Sequence, residues 1–170
     1  DSFARTTAFG IPLSYAKPEV SGRLRFDDAS FDLVTCCGAL HHIPNISFVL
    51  RGVRRCLTPG GIALVREPVI SMGDWTQARP GLTPHERGIP LDIFRGIIKD
   101  AGLRPLRETI CMFPLVPRLA NRLGFAAYGS GLVTRLDRWL SVAFGWNLCY
   151  HATSRWQKLR PTNVFTVLTK

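Results

Sequence analysis

Phe31-Asp32-Leu33-Val34-Thr35-Cys36-Cys37 runs directly into Gly38-Ala39-Leu40-His41-His42-Ile43-Pro44-Asn45. The first seven residues are almost all apolar or small, which suits a strand covered on both faces in a parallel sheet. Gly38 ends it. Asn45 is placed as an N-cap, and Ile46, Val49, Leu50, Val53 and Leu57 then recur at helical spacing, with Arg51, Arg54 and Arg55 on the other face. Thr58-Pro59-Gly60-Gly61 stops that helix, and Ile62-Ala63-Leu64-Val65 opens a second buried strand ahead of Glu67-Pro68. The order strand, helix, strand specifies an α/β fold.

Upstream, Leu13 to Ala16 reads as a brief strand after Gly10-Ile11-Pro12. Downstream, a polar loop from Ser71 to Pro90 leads to a helix that turns Ile93, Phe94, Ile97 and Ile98 inward and closes at Gly102. Leu106 to Phe113 is the next strand. Residues 114–147 are helical in period, and the stripe Leu132, Leu136, Trp139, Leu140 and Phe144 is expected to face the core, with Arg135 and Arg138 off it. Gly129-Ser130-Gly131 is a hinge between helices. Val164 to Leu168 supplies a final strand. The alternation predicts an open, mainly parallel sheet.

The chain has 170 residues, 46% hydrophobic and 20% charged, which excludes disorder and provides for one substantial core. No apolar run reaches the roughly 20 residues needed to cross a bilayer, since Arg118, Arg122, Arg135 and Asp137 interrupt the most hydrophobic stretch. The first residue is Asp1 rather than Met, so a piece of a longer protein is expected. Five cysteines, with Cys36 and Cys37 adjacent, do not form a disulfide framework, so reduced thiols and a cytoplasmic location are expected. The net charge of +10 is uneven: residues 1–85 carry 9 basic and 7 acidic side chains, residues 86–170 carry 13 and 5. Solvated Arg-rich helices are the commoner cause of such an excess, and a nucleic-acid partner is not the expectation.

In an open α/β sheet ligands sit beyond the carboxyl ends of the strands, which singles out Gly38 to His42 in one loop and Arg66 and Glu67 in the next. Phe26-Asp27-Asp28-Ala29-Ser30-Phe31-Asp32-Leu33-Val34, then Gly38 to Asn45, then Leu57-Thr58-Pro59-Gly60-Gly61 together resemble class I S-adenosylmethionine-dependent methyltransferases, most nearly the type 11 small-molecule branch. The resemblance spans about Leu13 to Leu103. It implies a Rossmann-like methyltransferase sheet in which Phe31 to Cys37 is the fourth strand and Pro59-Gly60-Gly61 turns into the fifth. Leu106 to Phe113 and Asn163 to Leu168 would then be antiparallel closing strands, and the stretch between them a helical cover over the substrate. The implied divisions are a partial core at 1–113, a cover insertion at 114–161 and a closing strand at 162–170.

The same resemblance implies S-adenosylmethionine as cofactor, with Gly38, Ala39 and Leu40 against its methionine part. Asp1 would accept hydrogen bonds from the ribose, and Glu19 would reach the adenine. The family's Gly-rich turn has no counterpart here, so the sheet is expected to be incomplete on its N-terminal side, with the fourth, fifth, seventh and sixth strands adjacent and the Leu13 to Ala16 strand detached. For chemistry, a neutral imidazole titrates near neutrality, which makes His41 and His42 the candidate bases or orienters. Either one could instead pack and fix the loop. Glu67, His85, Tyr150 and His151 are candidate substrate contacts; Glu86 could equally cap a helix. A zinc site from Cys36, Cys37, His41 and His42 is not expected, because neighbouring strand residues point to opposite faces.

The leading expectation is methyl transfer to a small-molecule acceptor. A second is a methyltransferase-like module without cofactor binding that serves as a partner or scaffold, and a third is a nucleic-acid methyltransferase.

Overall fold

The computed structural model describes residues 7, 8, 10–71 and 87–170. Two very short strands, β1 (Thr7–Ala8) and β2 (Ile11–Pro12), pair antiparallel apart from the main sheet. The main sheet holds β3 (Phe31–Cys37), β4 (Leu57–Pro68), β5 (Arg104–Cys111) and β6 (Asn163–Thr169) in the order β3-β4-β6-β5. β3 and β4 run parallel, with Val34 opposite Ala63 and Cys36 opposite Val65. β6 is antiparallel to both neighbours, placing Val65 opposite Thr166 and Ile110 opposite Val164. This is the strand order expected from the sequence, closing strands included.

Between the strands lie α1 (Ile46–Cys56) and α2 (Leu91–Asp100), and between β5 and β6 lie α3 (Leu115–Arg122) and α4 (Gly131–Ala143). α1 buries Ile46, Val49, Leu50 and Val53 and exposes Arg51 and Arg54, as its periodicity dictates. These side chains join Leu57, Ala63, Val65, Phe94, Ile98, Val164 and Leu168 in the main core, on the sheet face that α1 and α2 cover. Arg55 is not merely solvated. Its guanidinium donates to the carbonyls of Leu24 and Phe26 at 2.8 and 2.7 Å and pins the segment entering β3.

Several expectations are corrected. Leu13 to Ala16 forms no strand; the pairing residues are Ile11 and Pro12, and Leu13 and Tyr15 are exposed. Thr7 and Ala8 extend as a strand. β3 is not covered on both faces: Leu33, Thr35 and Cys37 are exposed, because among the described residues no element packs on that side. Asn45 occupies the N-cap position of α1 without a side-chain cap. In α2, Phe94 and Ile98 are buried but Ile93 is exposed, the helix being too narrow to turn all four apolar residues inward.

The largest correction concerns α4. Leu132, Leu136 and Trp139 face solvent, while Asp137 and Ser141 are its buried residues. Asp137 accepts hydrogen bonds from the N–H groups of Met112 and Phe113 at 2.9 and 2.8 Å, which draws the opposite side of the helix inward. Met112 is held there in the left-handed region at φ 63°. A small second core of Phe113, Val116, Ala120 and Ala127 packs against Val133, Leu140 and Phe144.

Candidate active site at the carboxyl end of the parallel strands

β3 ends at Gly38, whose φ of +69° is open to glycine at little cost, and the chain turns into a short 3-10 helix at Leu40–His42. The Gly38 N–H donates to the Arg66 carbonyl at 2.7 Å, which ties the loop to the end of β4. Glu67, the next residue, is fully buried at 0% exposure. Its carboxylate lies under the loop and accepts from three successive backbone N–H groups: Ala39 and Leu40 at 2.9 Å each, and His41 at 3.3 Å. His41 Nδ1 lies 2.7 Å from the same carboxylate. A carboxylate supplies acceptors only, so Nδ1 is the donor in that contact.

A buried carboxylate is costly unless fully hydrogen-bonded. Glu67 meets that condition and fixes the whole Gly38 to His41 turn. His41 is consequently almost buried, whereas His42 is exposed and lies tilted against it, with ring centroids 4.0 Å apart. The neighbouring Cys36 thiol is pushed up to about 11 by burial and then by the Glu67 charge, so it is no nucleophile near neutrality. Cys37 points the other way and is exposed. Among the described residues no three His, Cys, Asp or Glu side chains gather as a metal site.

A third layer is built on the same rim. Tyr150 donates its hydroxyl to the Gly88 carbonyl at 2.8 Å, and its own carbonyl accepts from the N–H and hydroxyl of Ser71 at 2.9 and 3.0 Å. Tyr150 thereby staples Ser71 to Gly88. The close approach there admits only glycine, since a Cβ on Gly88 would lie 2.4 Å from the Ile70 carbonyl oxygen. His151 is exposed and meets the Tyr150 ring edge-on at 4.7 Å. Beside Arg66 a groove of about 320 Å³ opens between β4, β5, β6 and α4, lined among others by Met112, Tyr128 and Asp137. Burial, and then the adjacent Asp137 charge, push the Tyr128 phenol upward.

The structure therefore brings together Gly38, Ala39, Leu40, His41, His42 and Glu67, with Tyr150 and His151 on the segment that meets the end of β4. Glu67, expected at a substrate, sits beneath the loop instead. Glu19 spends its carboxylate on Arg25 and Ser21, and the hydrogen bond from Arg25, then that from Ser21, lowers its pKa. Asp1 and His85, like Glu86, lie outside the described residues. Two structural positions beside the groove escape sequence reasoning: Asp137 reads there only as a charge interrupting an apolar stretch, and Met112 carries no sequence signal for a left-handed backbone.

A family model described as "Methyltransferase domain" matches residues 4–65. A putative methyltransferase from Bacillus halodurans superposes with a TM-score of 0.55 at 17% identity, covering 92% of this chain and 76% of that one. The fold is that of a class I methyltransferase-like α/β domain. Over 88 residues the chain is 33% identical to 27-O-demethylrifamycin SV methyltransferase of Amycolatopsis mediterranei, a match spanning 48% of this chain and 32% of that protein. Over a stretch of the same length it is 33% identical to highly reducing polyketide synthase 2 of Gibberella zeae, across 45% of this chain and 3% of that protein. The domain thus spans about a third or less of these curated relatives' length.

The residues described fit S-adenosylmethionine as one wall of its site. Gly38, Ala39 and Leu40 stand rigidly at the carboxyl end of β3, and a Cβ on Gly38 would meet nothing closer than 4.0 Å, so a ligand can approach the backbone there. The N–H groups of residues 39 to 41 are taken by Glu67, which leaves carbonyls, the Ala39 methyl and His42 as the loop's contacts.

Proposed function

We propose that the protein transfers a methyl group from S-adenosylmethionine to a small-molecule acceptor, with the Gly38 to His42 loop as one wall of the cofactor site. The observation that carries this reading is the Glu67 clamp, which holds the loop, and His41 within it, in one geometry. When bound, the cofactor supplies an electrophilic methyl on a sulfonium. His41 is the positioning residue: its Nδ1 is held on Glu67, and its ring supports that of His42. His42, exposed at the rim, receives the acceptor's proton. His151, carried by the Tyr150 staple, is the substrate contact on the covering side. A small-molecule acceptor is supported by the substrate in the rifamycin relative's name.

The test is transfer of a labelled methyl group to small hydroxyl-bearing acceptors. His42→Ala is expected to lower kcat by about 100-fold or more. His41→Ala is expected to lower kcat less, and Glu67→Gln to follow His41→Ala. Transfer unchanged in His42→Ala would overturn the assignment of the base.

A second reading, a methyltransferase-like module that binds no cofactor and serves as a partner, is favoured by the saturation of the loop's donors by Glu67 and by the engagement of Glu19 with Arg25. Titration with S-adenosylhomocysteine separates the two, since only the first predicts saturable binding.

A further inference from the structure

α4 has two sides of different chemistry. Its inner side carries Asp137 and Ser141, and Val133, Leu140 and Phe144 beside them reach the second core. Its outer side carries Leu132, Leu136 and Trp139 at i, i+4 and i+7, exposed by 77, 50 and 66%. Trp146, in the 3-10 turn just beyond the helix, is 81% exposed. A stripe of this kind on a helix that already has a buried side is surplus to folding, and contiguous exposed apolar surface marks an interaction site.

The charge around the stripe says what the site meets. Residues 114–161 contain seven basic side chains and one acidic, +6 of the chain's +10. The one acid, Asp137, is buried, and of the seven bases only Arg160 is buried. The surface of this segment therefore presents six cations and no carboxylate, with Arg135 and Arg138 flanking the stripe itself. A two-fold pairing of two copies through this face would oppose arginines to arginines with no acid to relieve them. A nucleic acid would satisfy the cations and leave Leu132 and Leu136 in water. An anionic membrane surface satisfies both, taking leucines into the acyl boundary, tryptophans at headgroup depth and guanidinium groups on lipid phosphates.

We infer that the outer face of α4 docks on an anionic lipid bilayer, with the helix lying in the interface. At 13 residues α4 is about 20 Å long, too short to span, and among the described residues no helix is long and apolar enough to cross a membrane. The inference stands apart from the methyl-transfer reading.

The test is co-sedimentation of the chain with vesicles of phosphatidylcholine alone and of phosphatidylcholine with about a third phosphatidylglycerol, with tryptophan emission followed in parallel. Binding to the anionic vesicles with a blue shift of emission is expected, at least about tenfold weaker on neutral vesicles. Leu136→Glu is expected to lower the affinity about tenfold or more at unchanged melting temperature, and Arg135→Gln with Arg138→Gln by about tenfold. Four results would each overturn the inference. They are absence of binding to anionic vesicles, unfolding by Leu136→Glu, binding of an RNA or DNA oligonucleotide in preference to vesicles, and a lipid-free dimer that Leu136→Glu dissociates.

Discussion

Two buried carboxylates do the same job at two strand ends, and only one of them shows in the sequence. Glu67 gathers the N–H groups of Ala39, Leu40 and His41 after β3, and Asp137 gathers those of Met112 and Phe113 after β5. Each substitutes a side chain for the hydrogen-bond partner that a turning backbone lacks. Glu67 lies at the tip of a strand, where position in the fold marks it out, and it also seats an imidazole. Asp137 lies mid-helix among leucines and a tryptophan, where helical period says that the apolar stripe should be the buried one. Capping a loop can therefore outrank burying leucine in deciding which way a helix turns, because orphaned N–H groups cost more than an exposed side chain gains.

The comparison can be broken most strongly at Glu67. Glu67→Ala orphans three backbone N–H groups and the His41 ring, and urea unfolding should show a loss of about 3–5 kcal/mol. Asp137→Ala orphans two N–H groups and the Tyr128 hydroxyl contact at 3.3 Å, and the loss should be smaller, about 2–3 kcal/mol. Equal losses would show that the third N–H group and the histidine together add nothing to the first clamp.

A smaller effect sharpens the contrast through pH. The thiols beside the two clamps, Cys36 and Cys111, are both pushed up to about 11 from an ordinary 9.0, by burial first and then by Glu67 and Asp137 respectively. The folded state keeps these protons longer than the unfolded chain does. Their contribution is therefore complete below about pH 9 and is lost as pH rises toward 11, so the unfolding midpoint should fall over that window, and less steeply in Cys36→Ser. The smallest effect is expected at the outer stripe: Leu136→Ser should change stability by under about 0.5 kcal/mol, where a core leucine would cost several.

The strand order, the α1 face and the Gly38 to His42 loop were legible because each rests on local signals: a near-continuous apolar run, a helical period and glycines at turns. Where the sequence misled, the deciding partner was distant. Leu33 and Thr35 look buried until one asks what lies over that face of β3. Leu132 and Trp139 look like core until Asp137 is found bonded to a loop some 25 residues away. Glu67 was placed at the right rim but assigned to a substrate, since nothing local tells a carboxylate that faces a ligand from one that holds up the loop.

The most direct measurement is the set of backbone amide shifts on titration with S-adenosylhomocysteine. If the Gly38 to His42 loop is a wall of the cofactor site, the amides of Gly38 and His42 should move together and saturate, while those of residues 39 to 41 stay protected from hydrogen exchange by Glu67. Shifts confined to other parts of the chain, or none at millimolar ligand, would contradict it.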